Sequence, residues 1–190
     1  IGRGAFGHEE SRRLARVSLA NYFASAMMMP YGRFLTAARE VRYDIEILQR
    51  RFVASYEQVC QRLTSLQRPG AKGVPFFFAR TDQAGNMSKR FSAAPGFHFA
   101  RFGGACPRWN IHDAFRQPGQ MQTQIARMPD GSAYLSIVRS VSKPGGGWKQ
   151  PARHFAIAIG CDIAHAGQLV YADGLDLSNL DAATPVGVNC

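Results

Sequence analysis

The sequence predicts an α+β protein, with an N-terminal segment of about four helices followed by an α+β domain built on a mainly antiparallel sheet. Three observations carry this expectation. Apolar residues recur at helical spacing through residues 1–67. The run Arg68-Pro69-Gly70-Ala71-Lys72-Gly73 is then dense in helix breakers. Beyond it the pattern changes to short β-type runs separated by Gly- and Pro-containing loops. The boundary is therefore placed between a helical segment, 1–67, and an α+β segment, 68–190.

The helices follow in order. Residues 9–28 repeat Ala15, Leu19, Tyr22, Phe23 and Ala26 along one stripe, and Glu9 and Glu10 suit the positive N-terminal end of a helix. Pro30 ends this helix and can open the next at its first position. Residues 31–42 put Phe34, Leu35, Ala38 and Val41 on one face. Asp44 is the expected N-cap of a third helix, with Ile45, Leu48 and Phe52 inward. Ser55 and Gln58 have the spacing of a capping box opening a fourth, with Val59, Leu63 and Leu66.

After the linker, Val74–Thr81 and Met87–Ala93 flank Asp82-Gln83-Ala84-Gly85-Asn86, which reads as a β-hairpin with a glycine in its loop. Ala133–Val141 and His154–Cys161 read as two further strands, separated by Lys143-Pro144-Gly145-Gly146-Gly147. Gln168–Ala172 is a candidate fifth strand. Ile111–Phe115 and Gln120–Met128 are read as short helices. By analogy of fold class, the second segment is expected to be GAF- or PAS-like.

The chain has 190 residues and a formal net charge of +10, from 23 Lys and Arg against 13 Asp and Glu. Such a surplus favours polyanionic partners: nucleic acid, a phosphorylated ligand or anionic lipid. No run of about 18 apolar residues predicts a membrane span, and the start IGRGAFGHEE has no apolar signal-peptide core. A cytoplasmic protein without a membrane partner is expected. The chain begins at Ile1 and stops at Cys190, and is read as part of a longer protein. Cys60, Cys106, Cys161 and Cys190 match no zinc spacing, and Cys60 and Cys161 are expected to be buried small hydrophobes.

Several motifs need weighing. His8-Glu9-Glu10 opens like a zinc-protease HExxH, but the second histidine position holds Arg12, so no metal pair forms on that helix face. Asp44–Leu66 has the outline of a helix-turn-helix, yet Glu57 near the start of the would-be reading helix opposes phosphate. Cys106 and His112 could pair as thiol and base, but no third orienting group is evident. No catalytic residue and no metal ligand is assigned.

Gly96–Phe115, GFHFARFGGACPRWNIHDAF, combines aromatic, basic and glycine residues as a ligand site does. Phe97, Phe99 and Trp109 are candidates for stacking or apolar contact, and Gly103 and Gly104 for close backbone approach. Lys89, Arg90, Arg101 and Arg139 are candidates for phosphate contact. Alternation puts Arg139 on a strand face with Leu135, Ile137 and Val141. It therefore needs a counter-charge, either an internal carboxylate such as Asp130 or Asp162 or a ligand phosphate.

Two blocks carry a family resemblance. Ala20-Asn21-Tyr22-Phe23-Ala24-Ser25-Ala26-Met27-Met28-Met29-Pro30 and the helices of Tyr43–Leu66 resemble ImmA/IrrE-type metallopeptidase domains. Leu19 stands where that family has an acidic metal ligand, so the resemblance is to a degenerate domain. The runs LQRPGAKGVPFFFARTDQAGNMSKRFSA, FHFARFGGACPRWNIHDAF and YADGLDL…ATPVG resemble the C-terminal domain of the short-chain fatty acyl-CoA regulators. These are bacterial transcription factors with an N-terminal helix-turn-helix of the xenobiotic-response-element type and a Cys-rich tail.

The resemblance implies the sensor region of such a regulator. It would bind a short-chain acyl-CoA as effector, with no cofactor, and control acyl-CoA, acetate or propionate metabolism through DNA contacted by a helix-turn-helix outside this chain. The whole protein would be a homodimer and not an enzyme. The alternatives are a residual peptidase or acyl-CoA hydrolase, and a dimerisation or direct DNA-contacting module.

Overall fold

The computed structural model describes residues 8–99 and 106–187. Four helices come first: α1 (Glu9–Met28), α2 (Tyr31–Glu40), α3 (Ile45–Phe52) and α4 (Tyr56–Thr64). Their ends follow from local chemistry. The Asp44 carboxylate accepts the Ile47 backbone N–H at 3.0 Å and starts α3. Ser55 and Gln58 exchange side chain and backbone in a full capping box that starts α4. Pro30 sits at the N-cap of α2, one residue earlier than expected. None of α1's residues is buried, and Leu19, Tyr22 and Phe23 of its apolar stripe are exposed.

Six strands form one sheet in the order β2-β1-β5-β4-β3-β6. They are β1 (Phe76–Asp82), β2 (Met87–Ser92), β3 (Met121–Arg127), β4 (Ala133–Lys143), β5 (Arg153–Asp162) and β6 (Thr184–Pro185). All pairs are antiparallel except β3 with β6. The α+β class and the antiparallel sheet expected from the sequence are thus present.

Two expected elements differ. Residues 120–128 contain β3, a strand rather than a helix. Its seven residues pair one-for-one with β4 from Met121↔Arg139 to Arg127↔Ala133, and that ladder outweighs the helix tolerance of Gln122, Gln124 and Ala126. Residues 168–172 are not a strand: Val170–Ala172 forms a 3₁₀ turn after the short helix α5 (Ile163–Ala166). Leu169 is fully buried there, and the Val170 N–H donates to Arg42 O at 2.9 Å, so the segment docks on the helices. The expected helix at 111–115 is a single 3₁₀ turn, Asp113–Phe115.

The alternation of the strands divides the core into two layers. On one side Phe76, Phe78, Leu135, Ile137, Ile157, Ile159 and Cys161 pack against Phe34, Leu48, Val59, Cys60 and Leu63 of the helices. The helical and β segments therefore share one core. Cys60 and Cys161 are free thiols within it, and burial pushes that of Cys161 up to about 12. On the other side the stretch 106–115 lies across the sheet, burying Trp109, Ile111 and Ala114 against Phe77, Tyr134 and Val138.

Candidate ligand-binding slot

The central strands offer a low floor on this second side. Ala79, Ala156, Ala158, Gly160, Ser136 and Ser140 all have small side chains, so the covering chain approaches the sheet closely. Gly160 is the extreme case: a Cβ there would collide with the Phe77 ring and with Leu135 O. Phe77 can therefore lie over β5. The Phe97 ring stacks on it with centroids 3.9 Å apart and planes within 6°. Phe99, Trp109 and Tyr134 meet Phe77 edge-on at 6.2–6.3 Å.

These rings, with Met87, Cys106, Met128 and Val186, enclose a slot of about 50 Å³. That is room for a few heavy atoms, less than a nucleobase needs. One wall is polar. Trp109 Nε1 donates to Ser136 Oγ at 2.9 Å, and Ser136 Oγ donates to Asn110 Oδ1 at 3.1 Å. Asn110 Nδ2 and His112 Nε2 are buried and make no hydrogen bond among the described residues.

Of the site residues expected from sequence, Phe97, Phe99 and Trp109 come together around this slot. Arg90 pairs across the ladder with Ala79 and so lies on the same side of the sheet. Arg101, Gly103 and Gly104 lie outside the described residues; in sequence they fall between Phe99 and Cys106, both of which line the slot. Lys89 and Arg139 lie on the opposite, helix-covered side. The partner of Arg139 is neither Asp130 nor Asp162 but Glu46 of α3, at 2.9 Å. Asp130 instead holds the turn at Ser132, and Asp162 caps α5.

Lys89 belongs to a cluster the sequence reading did not find. The Glu57 carboxylate of α4 receives Arg80 of β1, Lys89 of β2 and Lys143 of β4, each at 2.8 Å. Burial alone would raise the Glu57 carboxyl. The hydrogen bonds from Lys143 and Lys89, with the charges of Lys89 and Arg80, win and hold it at about 2. Arg80 and Lys143 also stand over the Phe155 ring at 4.7 and 5.6 Å. Only one member of the cluster stands out in the sequence, the carboxylate at Glu57 that argues against a DNA-reading helix.

The fold and the slot define an α+β domain with an aromatic pocket, joined to a helical segment through one core, and comparison with known proteins specifies the kind. Residues 65–190 match the short-chain fatty acyl coenzyme A regulator C-terminal domain, and residues 5–64 match the IrrE N-terminal-like domain. The chain belongs to the short-chain fatty acyl-CoA regulator family. It is 56% identical over 185 residues to a propionyl-CoA carboxylase regulator of Cereibacter sphaeroides, covering 97% of this chain and 40% of that protein. To the HTH-type transcriptional regulators PrpR and RamB of Mycobacterium tuberculosis it is 49% and 51% identical, covering 95% and 98% of this chain and 37% and 40% of theirs. A solved Mycobacterium tuberculosis transcriptional regulator superposes with a TM-score of 0.91 at 49% identity, over 96% of this chain and 55% of that one. The chain thus spans about two-fifths of the length of these curated relatives.

Proposed function

We propose that this chain is the effector-binding region of a transcriptional regulator and that its effector is a short-chain acyl-CoA. The observation that carries the reading is the aromatic slot, in which Phe77, Phe97, Phe99 and Trp109 surround a space fitted to a few carbon atoms. The acyl tail enters the slot. The bulkier nucleotide stays outside it, on the side of the sheet that carries Arg90. Asn110, which accepts from Ser136 of the slot lining, has a buried Nδ2 donor in need of an acceptor, a role that a carbonyl oxygen would fill. The names of the relatives support the regulatory part of this reading, with DNA bound by a helix-turn-helix elsewhere in a longer protein. No catalytic step is assigned.

Calorimetry and thermal shift with acetyl-, propionyl- and methylmalonyl-CoA test the reading. At least one should raise the melting temperature in proportion to its affinity, by about 2.7 kcal/mol of stability at a hundredfold excess over Kd. Phe97→Ala, at a half-buried position, should weaken that ligand at least about tenfold, equivalent to about 1.4 kcal/mol. No shift with any of the three at saturation sinks the effector reading.

A further inference from the structure

The longest hairpin of the sheet carries a charge pattern that neither the slot nor the core uses. From Gly131 to Cys161 the chain has four cations, Arg139, Lys143, Lys149 and Arg153, and no Asp or Glu. This stretch is the β4–β5 hairpin, whose ladder runs from Tyr134↔Asp162 to Lys143↔Arg153. Arg139 and Lys143 are engaged by Glu46 and Glu57. Lys149 and Arg153 are exposed and have no ion pair among the described residues.

Beyond the ladder the chain folds into a second, small hairpin. Gly147 and Gln150 form an antiparallel bridge, and the Gln150 N–H donates to Gly147 O at 3.0 Å. The Gly146 N–H donates to Gln150 Oε1 at 3.1 Å. Gly145 approaches the Gln150 backbone so closely that any side chain there would collide with it. Pro144 and Pro151 flank the structure and stiffen both arms. The tip therefore has a defined shape, and its two turn residues are Trp148 and Lys149. Trp148 is 99% exposed, the most exposed large hydrophobic side chain among the described residues. An indole held out at the end of a braced hairpin whose charged residues near the tip, Lys143, Lys149 and Arg153, are all cations needs a partner that offers both negative charge and a flat or apolar surface.

We propose that the tip of the β4–β5 hairpin is a second nucleic-acid contact, which lays Lys149 and Arg153 on the phosphates of duplex DNA and inserts Trp148 into a groove. Charge complementarity favours DNA as the occupant: the whole chain carries +10, and relatives covering this hairpin are HTH-type transcriptional regulators. Cations placed on phosphates position a protein on the duplex without reading sequence, and an aromatic wedge in a groove adds preference for deformable steps. The inference does not rest on the acyl-CoA reading, since the tip and the slot share no residue.

The test uses the chain without any acyl-CoA, titrated with a short mixed-sequence duplex at graded salt. Fluorescence anisotropy should show binding that weakens steeply with salt. Lys149→Glu with Arg153→Glu should weaken it at least about tenfold at low salt and reduce the salt slope by about 2. The same net charge change at Arg33→Glu with Arg50→Glu, exposed on the helices, should cost far less. Duplex should also quench the indole emission, and Trp148→Ala should abolish the quenching while the buried Trp109 signal stays. Because Trp148, Lys149, Arg153, Arg33 and Arg50 are all exposed, these variants should melt within a few degrees of the parent. The proposal is overturned if the hairpin reversal binds as the parent does, if the helix pair loses as much, or if anionic vesicles quench Trp148 and duplex does not.

Discussion

Arg80 Nη1 meets Glu57 Oε1 at 2.8 Å, and in doing so ties the first strand of the sheet to the last of the four N-terminal helices. Lys89 and Lys143 close on the same carboxylate from β2 and β4. One acidic group thus neutralises part of three positive charges at the seam between the helical and β segments. Removing it leaves those charges facing one another in a partly dry space.

Glu57→Gln should therefore cost roughly 3 kcal/mol, the low end for breaking a buried pair, because Lys89 and Lys143 keep partial access to water. Chemical denaturation should show the loss as a lower midpoint with an unchanged slope. A loss under about 0.5 kcal/mol would mean that the seam is held by apolar packing alone.

Acid should act through the same group. Its carboxyl is held at about 2 in the folded chain against an ordinary value of 4.5, so the folded state binds its proton less readily than the unfolded state. The stabilisation is fully present above about 4.5 and is lost as the pH falls toward 2, by about 3 kcal/mol in all. Melting temperatures between pH 6 and pH 2 should fall more steeply for the parent than for Glu57→Gln, with the two curves converging at the acid end.

Gly160→Ala should be among the most damaging single-methyl additions available. The new Cβ meets Leu135 O, a backbone atom that cannot swing aside, as well as the Phe77 ring. Overpacking of this kind costs about 1–3 kcal/mol or more. If the protein folds, the displaced Phe77 should carry Phe97 with it and weaken ligand binding at the slot. Circular dichroism melts and ligand titration on the same sample separate the two effects.

Val53→Gly should stabilise. Val53 ends α3 in the left-handed region at φ 49°, where a β-branched side chain is strained, and it is 86% exposed. Relief of about 1–2 kcal/mol is partly offset by the greater freedom glycine gains on unfolding, about 0.5–1 kcal/mol. A small rise in melting temperature is expected, and a fall would show that the Val53 side chain makes a contact worth more than its strain.

Local signals were legible where chemistry is local. The Asp44 cap, the Ser55–Gln58 box and the first hairpin each involve residues within a few positions of one another. The aromatic rim was legible too, since Phe97, Phe99 and Trp109 are close in sequence. What stayed hidden depends on pairing at a distance. Glu57 lies 32 residues from Lys89, and Glu46 lies 93 from Arg139, so neither ion pair leaves a mark in a short window. β3 was misread for a related reason: Met121, Gln122, Gln124 and Ala126 tolerate a helix, and the decision is made by β4. Phe77 and Gly160, which shape the slot floor, are 83 residues apart and meet as direct partners on neighbouring strands.

The break in register between β1 and β2 has a wider effect. Arg80 pairs with Lys89 but Thr81 pairs with Met87, leaving Ser88 as an extra residue whose hydroxyl accepts from Arg80 Nε at 2.8 Å. That single inserted position lets one edge strand serve both layers, with Met87 lining the slot and Lys89 reaching Glu57. Were Ser88 instead to take a regular place in the ladder, strict alternation would turn Met87 and Lys89 to the same face, so that either the lysine or the methionine would leave its neighbours. Any rearrangement of this edge on filling the slot would accordingly be felt at the helices, through a mechanical linkage only one residue long.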